Sequence, residues 1–192
     1  MSRAYRISVS ESVKKHIRVS DGIKTQLELL SVLGAEAMSG LLAADLSTRG
    51  FELRGQHMVR DDEDGVQIAI GVSGDDAGHV TVRLARNRAV DIEVERSRQV
   101  YIDEVDAEAE RAALKEQVDR TIDRRARAAE QKLSAEVTSV LEHKLRDLRA
   151  ELDTIANRVT AEALKVRAGQ LGEIREIAED PETGSLTIKV RV

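Results

Sequence analysis

From Glu104 to Ala168 the chain contains neither glycine nor proline. A run of that length without a breaker admits one long helix before anything else. Its apolar residues fall on one stripe: Leu114, Val118, Ile122, Ala126, Ala129, Leu133 and Val137, then Leu141, Leu145, Leu148, Leu152, Ile155 and Val159. The mean step is about 3.7 residues, which implies a straight or slightly right-handed supercoil. From Leu141 to Val159 the steps alternate four and three, a heptad seam of coiled-coil type. Unbroken, the helix would span roughly 97 Å at about 1.5 Å per residue. A stripe of that length exceeds what a small domain covers. The expectation is therefore that Leu141, Leu145, Leu148, Leu152, Ile155 and Val159 bind a protein partner or a second copy.

The preceding residues read as strands around one short helix. Tyr5, Ile7 and Val9 alternate with polar neighbours, and Val13, Ile17 and Val19 suggest a return strand ending at a turn, Asp21-Gly22. Residues 23–33 fit strand or helix. Met38, Leu41, Leu42 and Leu46 give a helical stripe, with Gly50 placed as its C-terminal cap. Short strands follow at Phe51–Leu53, Met58–Arg60, Val66–Val72, Val80–Leu84 and Val90–Val94, separated by turns at 61–65, 73–78 and 86–88. Connections this short favour antiparallel pairing.

After the long helix, Gly169 and Gly172 predict its end. Ile174 and Ile177 begin a hairpin that turns at DPETG, 180–184, and returns through Leu186, Ile188, Val190 and Val192. The fold class expected is α+β: an antiparallel sheet with one short helix, a long amphipathic helix and a C-terminal β-hairpin. The segments are 1–103, 104–168 and 169–192.

Composition narrows the function classes. Aromatic residues make up 2% of the chain, so the core rests on aliphatic side chains with little area each and gains from a partner. The absence of cysteine excludes disulfides and thiolate metal sites. No apolar run approaches the roughly 20 residues of a membrane span, and the first residues lack the apolar core of a signal peptide. A cytoplasmic location is the expectation. With a net charge of −5 and no segment in positive excess, the chain lacks the overall charge expected for nucleic-acid binding.

No catalytic, cofactor or metal pattern emerges. His16, His57, His79 and His143 have no second ligand at a metal-binding spacing. The acidic run Asp61, Asp62, Glu63, Asp64 lacks the alternation and closing glutamate of a calcium loop, and reads as a solvated turn. Phosphate-loop, dinucleotide and hydrolase signatures are missing. The expectation is a non-enzymatic adaptor or scaffold without cofactor. Arg120, Arg124 and Arg127 share a helical face and offer an alternative, a contact for an anionic partner or polyanion. Asp119, Asp123 and Glu130 sit among them, as they would on an ordinary solvated face.

Three stretches add a resemblance: DGIKTQLELL at 21–30, LLAADLSTRGFE at 41–52 and GEIREIAEDPETGSLTIKVRV at 172–192. Together they resemble small accessory proteins of the bacterial FtsH ternary conflict systems, built around a MoxR-type AAA+ ATPase and a von Willebrand A domain protein. The order of sheet, long helix and terminal hairpin is also similar to small proteins encoded beside AAA+ ATPases in chloroplast and cyanobacterial genomes. The resemblance implies a non-catalytic adaptor or regulator attached to an ATP-driven assembly. It carries no functional residue over to this chain.

Overall fold

The computed structural model describes residues 5–72, 78–102, 107–179 and 185–191. In chain order the elements are β1 (Tyr5–Glu28), α1 (Ala35–Thr48), β2 (Glu52–Arg54), β3 (His57–Asp61), β4 (Val66–Gly71), β5 (His79–Ile102), α2 (Ala107–Leu171), β6 (Glu173–Glu179) and β7 (Leu186–Arg191). Five strands form one sheet in the order β1-β5-β4-β3-β2, and β6 and β7 form a second, two-stranded sheet. The architecture is the expected α+β class.

Tyr5 to Glu28 is one strand, so Val13, Ile17 and Val19 continue the first strand rather than returning on it, and two expected turns are strand instead. β1 continues through Asp21-Gly22, and β5 continues through Arg86-Asn87-Arg88. His16 meets Asp91, while Leu29 donates its N–H to the carbonyl of Gly78, so partner numbers fall as β1 numbers rise and the pair is antiparallel. Gly22 suits this pairing. A Cβ there would stand 3.0 Å from the carbonyl oxygen of Leu84 on β5, so the glycine allows close backbone approach within the strand.

The chain divides into two compact units, Met1–Asp21 with Asn87–Ser139, and Gly22–Arg86 with Val140–Val192. β1, β5 and α2 contribute residues to both. In the first unit the two strands lie against the N-terminal part of α2. Val94, Val118 and Ile122 form a buried cluster, with Val13 and Ile92 packed on it. Lys15 bridges to Asp123 at 2.9 Å, and the hydroxyl of Thr138 donates to Asp21 at 2.7 Å. The other face of the strands is polar and exposed, as antiparallel sheets allow.

In the second unit β2, β3, β4 and the first part of β5 pair in register, with Ile68 opposite Leu84 and Ile70 opposite Val82. Those four side chains are buried, as are Met38, Leu42 and Leu46 of α1. Gly50, at φ +80°, turns the chain out of α1, and the N–H of Phe51 returns to the carbonyl of Leu46. Only a residue tolerant of the left-handed region suits that step. Gly65, at φ +75°, does the same for the expected turn between β3 and β4.

α2 is one helix of 65 residues. It passes through Gly169 and ends at Leu171, so Gly172 alone marks the stop. The hairpin strands follow as expected, pairing Glu173 with Arg191 through Glu179 with Leu186, with a bulge at Arg175. The expected turns at 73–78 and 180–184 fall on positions 73–77 and 180–184, outside the described residues.

Candidate functional site

The heptad seam ends up inside its own chain. Leu141 and Ile155 are 0% exposed, Val159 1%, Leu148 3% and Leu152 4%, and Leu145 is half-buried. These side chains serve the core of the second unit, and a partner helix could reach them only by displacing that core. The expectation of an intermolecular seam missed one physical fact. Within the second unit this half of α2 is covered without a second molecule, tied to β3 by Arg60–Glu151 and to α1 by Asp45–Arg158.

A charged group ties the same half of the helix in place. The Arg60 guanidinium from β3 grips Glu151 of α2 through two hydrogen bonds, 2.8 and 2.9 Å, and donates a third to Asp62 at 2.8 Å. It also lies 4.4 Å over the Phe51 ring, a cation–π contact. Lys144 pairs with Asp62 and reaches Asp64 at 3.4 Å. Hydrogen bonding from Arg60 holds the Glu151 carboxyl below its ordinary pKa, against the opposing effect of burial. At Asp62 burial pushes upward, but the bonds from Lys144 and Arg60 outweigh it and the pKa is lowered. Nearby, Asp45 is held between Arg49 at 2.9 Å and Arg158 at 3.2 Å. It borders a cleft of about 200 Å³ where α1 meets α2, with Leu41, Thr48 and Val159 among its walls.

The acidic turn is thus less solvated than its sequence suggests, because Asp62 is engaged by two cations. Among the described residues no group of histidine, cysteine, aspartate or glutamate side chains is arranged to hold a metal. His16, His79 and His143 are exposed and His57 is half-buried. Sequence reasoning had no route to the Arg60–Glu151 contact, whose partners lie 91 residues apart.

Arg120, Arg124 and Arg127 all sit exposed on α2 in the first unit. Arg120 pairs with Glu116 one turn earlier. Asp123 is committed to Lys15, whose hydrogen bond holds the Asp123 carboxyl below its ordinary pKa. With Asp123, Ala128 and Gln131, the three arginines line an open cleft of about 480 Å³.

The second unit leaves several large apolar side chains exposed at the C-terminal end of α2 and on the hairpin. Leu171 is 59% exposed, Ile177 45%, Val166 44% and Leu164 37%. The hairpin lies along the last turns of the helix, where Glu179 and Leu186 face Ala161, Leu164 and Lys165 across a groove. Among the described residues β6 and β7 pair only with each other, which leaves an outer backbone edge on each strand.

A family model described as FtsH ternary system domain X5 matches residues 1–192. The chain belongs to this family. No curated protein and no solved structure matched it. As an FtsH ternary system domain, the chain is a component of such a system, in keeping with an accessory role. No helix among the described residues is long and apolar enough to cross a membrane.

Proposed function

We propose that this FtsH ternary system domain is a non-catalytic accessory subunit, an adaptor that works by contact with the other components of an AAA+ ATPase-driven assembly. The observation that carries the reading is the exposure of Leu171 at the end of α2 and of Ile177 on the two-stranded sheet that follows it. A hairpin of two strands gains stability from a further strand or a packed surface, and open strand edges are used for partner binding. The densest charged group, by contrast, is closed on itself through Arg60, Glu151, Asp62 and Lys144. It serves as a structural tie, and the reading assigns no reaction to it.

Co-expression with the MoxR-type ATPase and the von Willebrand A domain protein of the same system tests this. The tagged chain should retain at least one of them through affinity purification and gel filtration. Leu171→Asp with Ile177→Asp should weaken that retention while the thermal unfolding profile stays in place. A wild-type chain that retains neither component at micromolar concentration sinks the adaptor reading.

A further inference from the structure

The arginine face of α2 has a different character from the apolar end of the helix. At about 100° per residue, Arg120, Arg124 and Arg127 fall within about 60° of one another. They lie on the side of the helix opposite Val118 and Ile122, which are buried at 0% and 3% exposure. Asp119, Asp123 and Glu130 lie on one flank, between that outward face and the core. Lys15 of β1 meets this flank by its ion pair with Asp123. Asp119, Asp123 and Glu130 thus lie toward β1, whereas Glu116 shares the outward face and pairs there with Arg120. Arg124 and Arg127 are exposed, Arg127 lies near enough to Asp123 to help lower its pKa, and Gln131 continues their line one turn on as a neutral donor.

We infer that Arg120, Arg124 and Arg127 form a docking surface for an acidic protein segment, one that presents carboxylates about a helical turn apart. The inference rests on the reading of the chain as a contact subunit and names one of its contacts. Charge complementarity selects the occupant. Planar guanidinium groups match carboxylates by paired hydrogen bonds. Nucleic acid is the weaker fit, since no aromatic side chain interleaves the arginines for base stacking.

The test uses the full chain and a fluorescent helical peptide with glutamates at four- and three-residue spacing, followed by anisotropy at low and high salt. A duplex DNA of similar length serves as the competing probe. The peptide should bind at low salt and weaken as salt rises. Arg124→Glu with Arg127→Glu should lose at least tenfold in affinity, whereas Arg146→Glu with Arg149→Glu, equal in charge change and exposed in the second unit, should lose little. Circular dichroism of both variants checks the fold. The proposal is overturned by absent peptide binding, by equal losses in the two variants, or by tighter binding of the duplex. Retention of the ATPase or the von Willebrand A domain protein is scored separately, so this face can fail while the adaptor reading stands.

Discussion

Arg60 and Glu151 meet through two parallel hydrogen bonds of 2.8 and 2.9 Å, fastening strand β3 to the second half of α2. Their side chains are 20% and 26% exposed, so the pair is shielded without being fully dry. Removing one partner leaves the other charge partly buried. Glu151→Gln should cost about 1–3 kcal/mol, between the values for exposed and buried pairs. Its pH dependence follows from the lowered pKa of Glu151, due first to the Arg60 hydrogen bond. A depressed carboxyl contributes stability above its unfolded pKa of about 4.3 and loses it as the pH falls through the folded value. Denaturant titrations from pH 7 to pH 3 should show a steep loss in the wild-type chain and a shallower one in Glu151→Gln. Equal slopes would remove the pair from the account.

Leu152 and Ile155 now belong to a core. Truncating either to alanine should cost about 2–5 kcal/mol, the range for large-to-small changes in packed interiors. The mass in solution should not change, because the side chains touch their own chain. Paired urea melts and light scattering separate the two outcomes. Loss of an oligomer without loss of stability would restore the intermolecular seam.

The long helix, α1, the β2–β3–β4 strands and the terminal hairpin were legible because period and punctuation agreed. The unbroken lengths of β1 and β5 were not, because Asp21-Gly22 and Arg86-Asn87-Arg88 carry turn chemistry. A signal was nevertheless present. Val13, Ile17, Val19, Ile23 and Leu27 are all odd-numbered, and Val80, Val82, Leu84, Val90, Ile92 and Val94 all even. A turn would normally break that parity, whereas one continuous strand preserves it. The helix seam failed for a different reason. Periodicity identifies which face is apolar but not which surface covers it, and the elements that hold this half of α2 are as distant in sequence as Arg60 is from Glu151.

Arg86 is buried at 8% exposure, and its Nε and one terminal nitrogen have no hydrogen-bond partner. A guanidinium held this way bears a desolvation cost that bonding does not offset. Arg86→Met keeps much of the volume and removes the charge. It should leave stability unchanged or raise it by about 1–3 kcal/mol, read from the urea midpoint. A large destabilisation would mean that the guanidinium is bonded in solution.

Two glycines three residues apart should respond in opposite ways to the same methyl group. Gly169 lies inside α2, and a Cβ there would find its nearest neighbour at 3.9 Å, the Ile174 side chain. Gly169→Ala should therefore stabilise by up to about 1 kcal/mol, the helix-propensity difference. Gly172 lies where the chain leaves the helix for β6, and a Cβ would clash with the carbonyl oxygen of Arg191. That oxygen belongs to the partner strand, so the clash cannot be relieved by a side-chain rotation. Gly172→Ala should push β7 away from β6 at a cost of about 1–3 kcal/mol, as for overpacking elsewhere. Hydrogen exchange reads the change locally: the amides of β6 and β7 should lose protection while those of β3 and β4 keep theirs. Unchanged protection in the hairpin would contradict the close approach of Gly172 and Arg191.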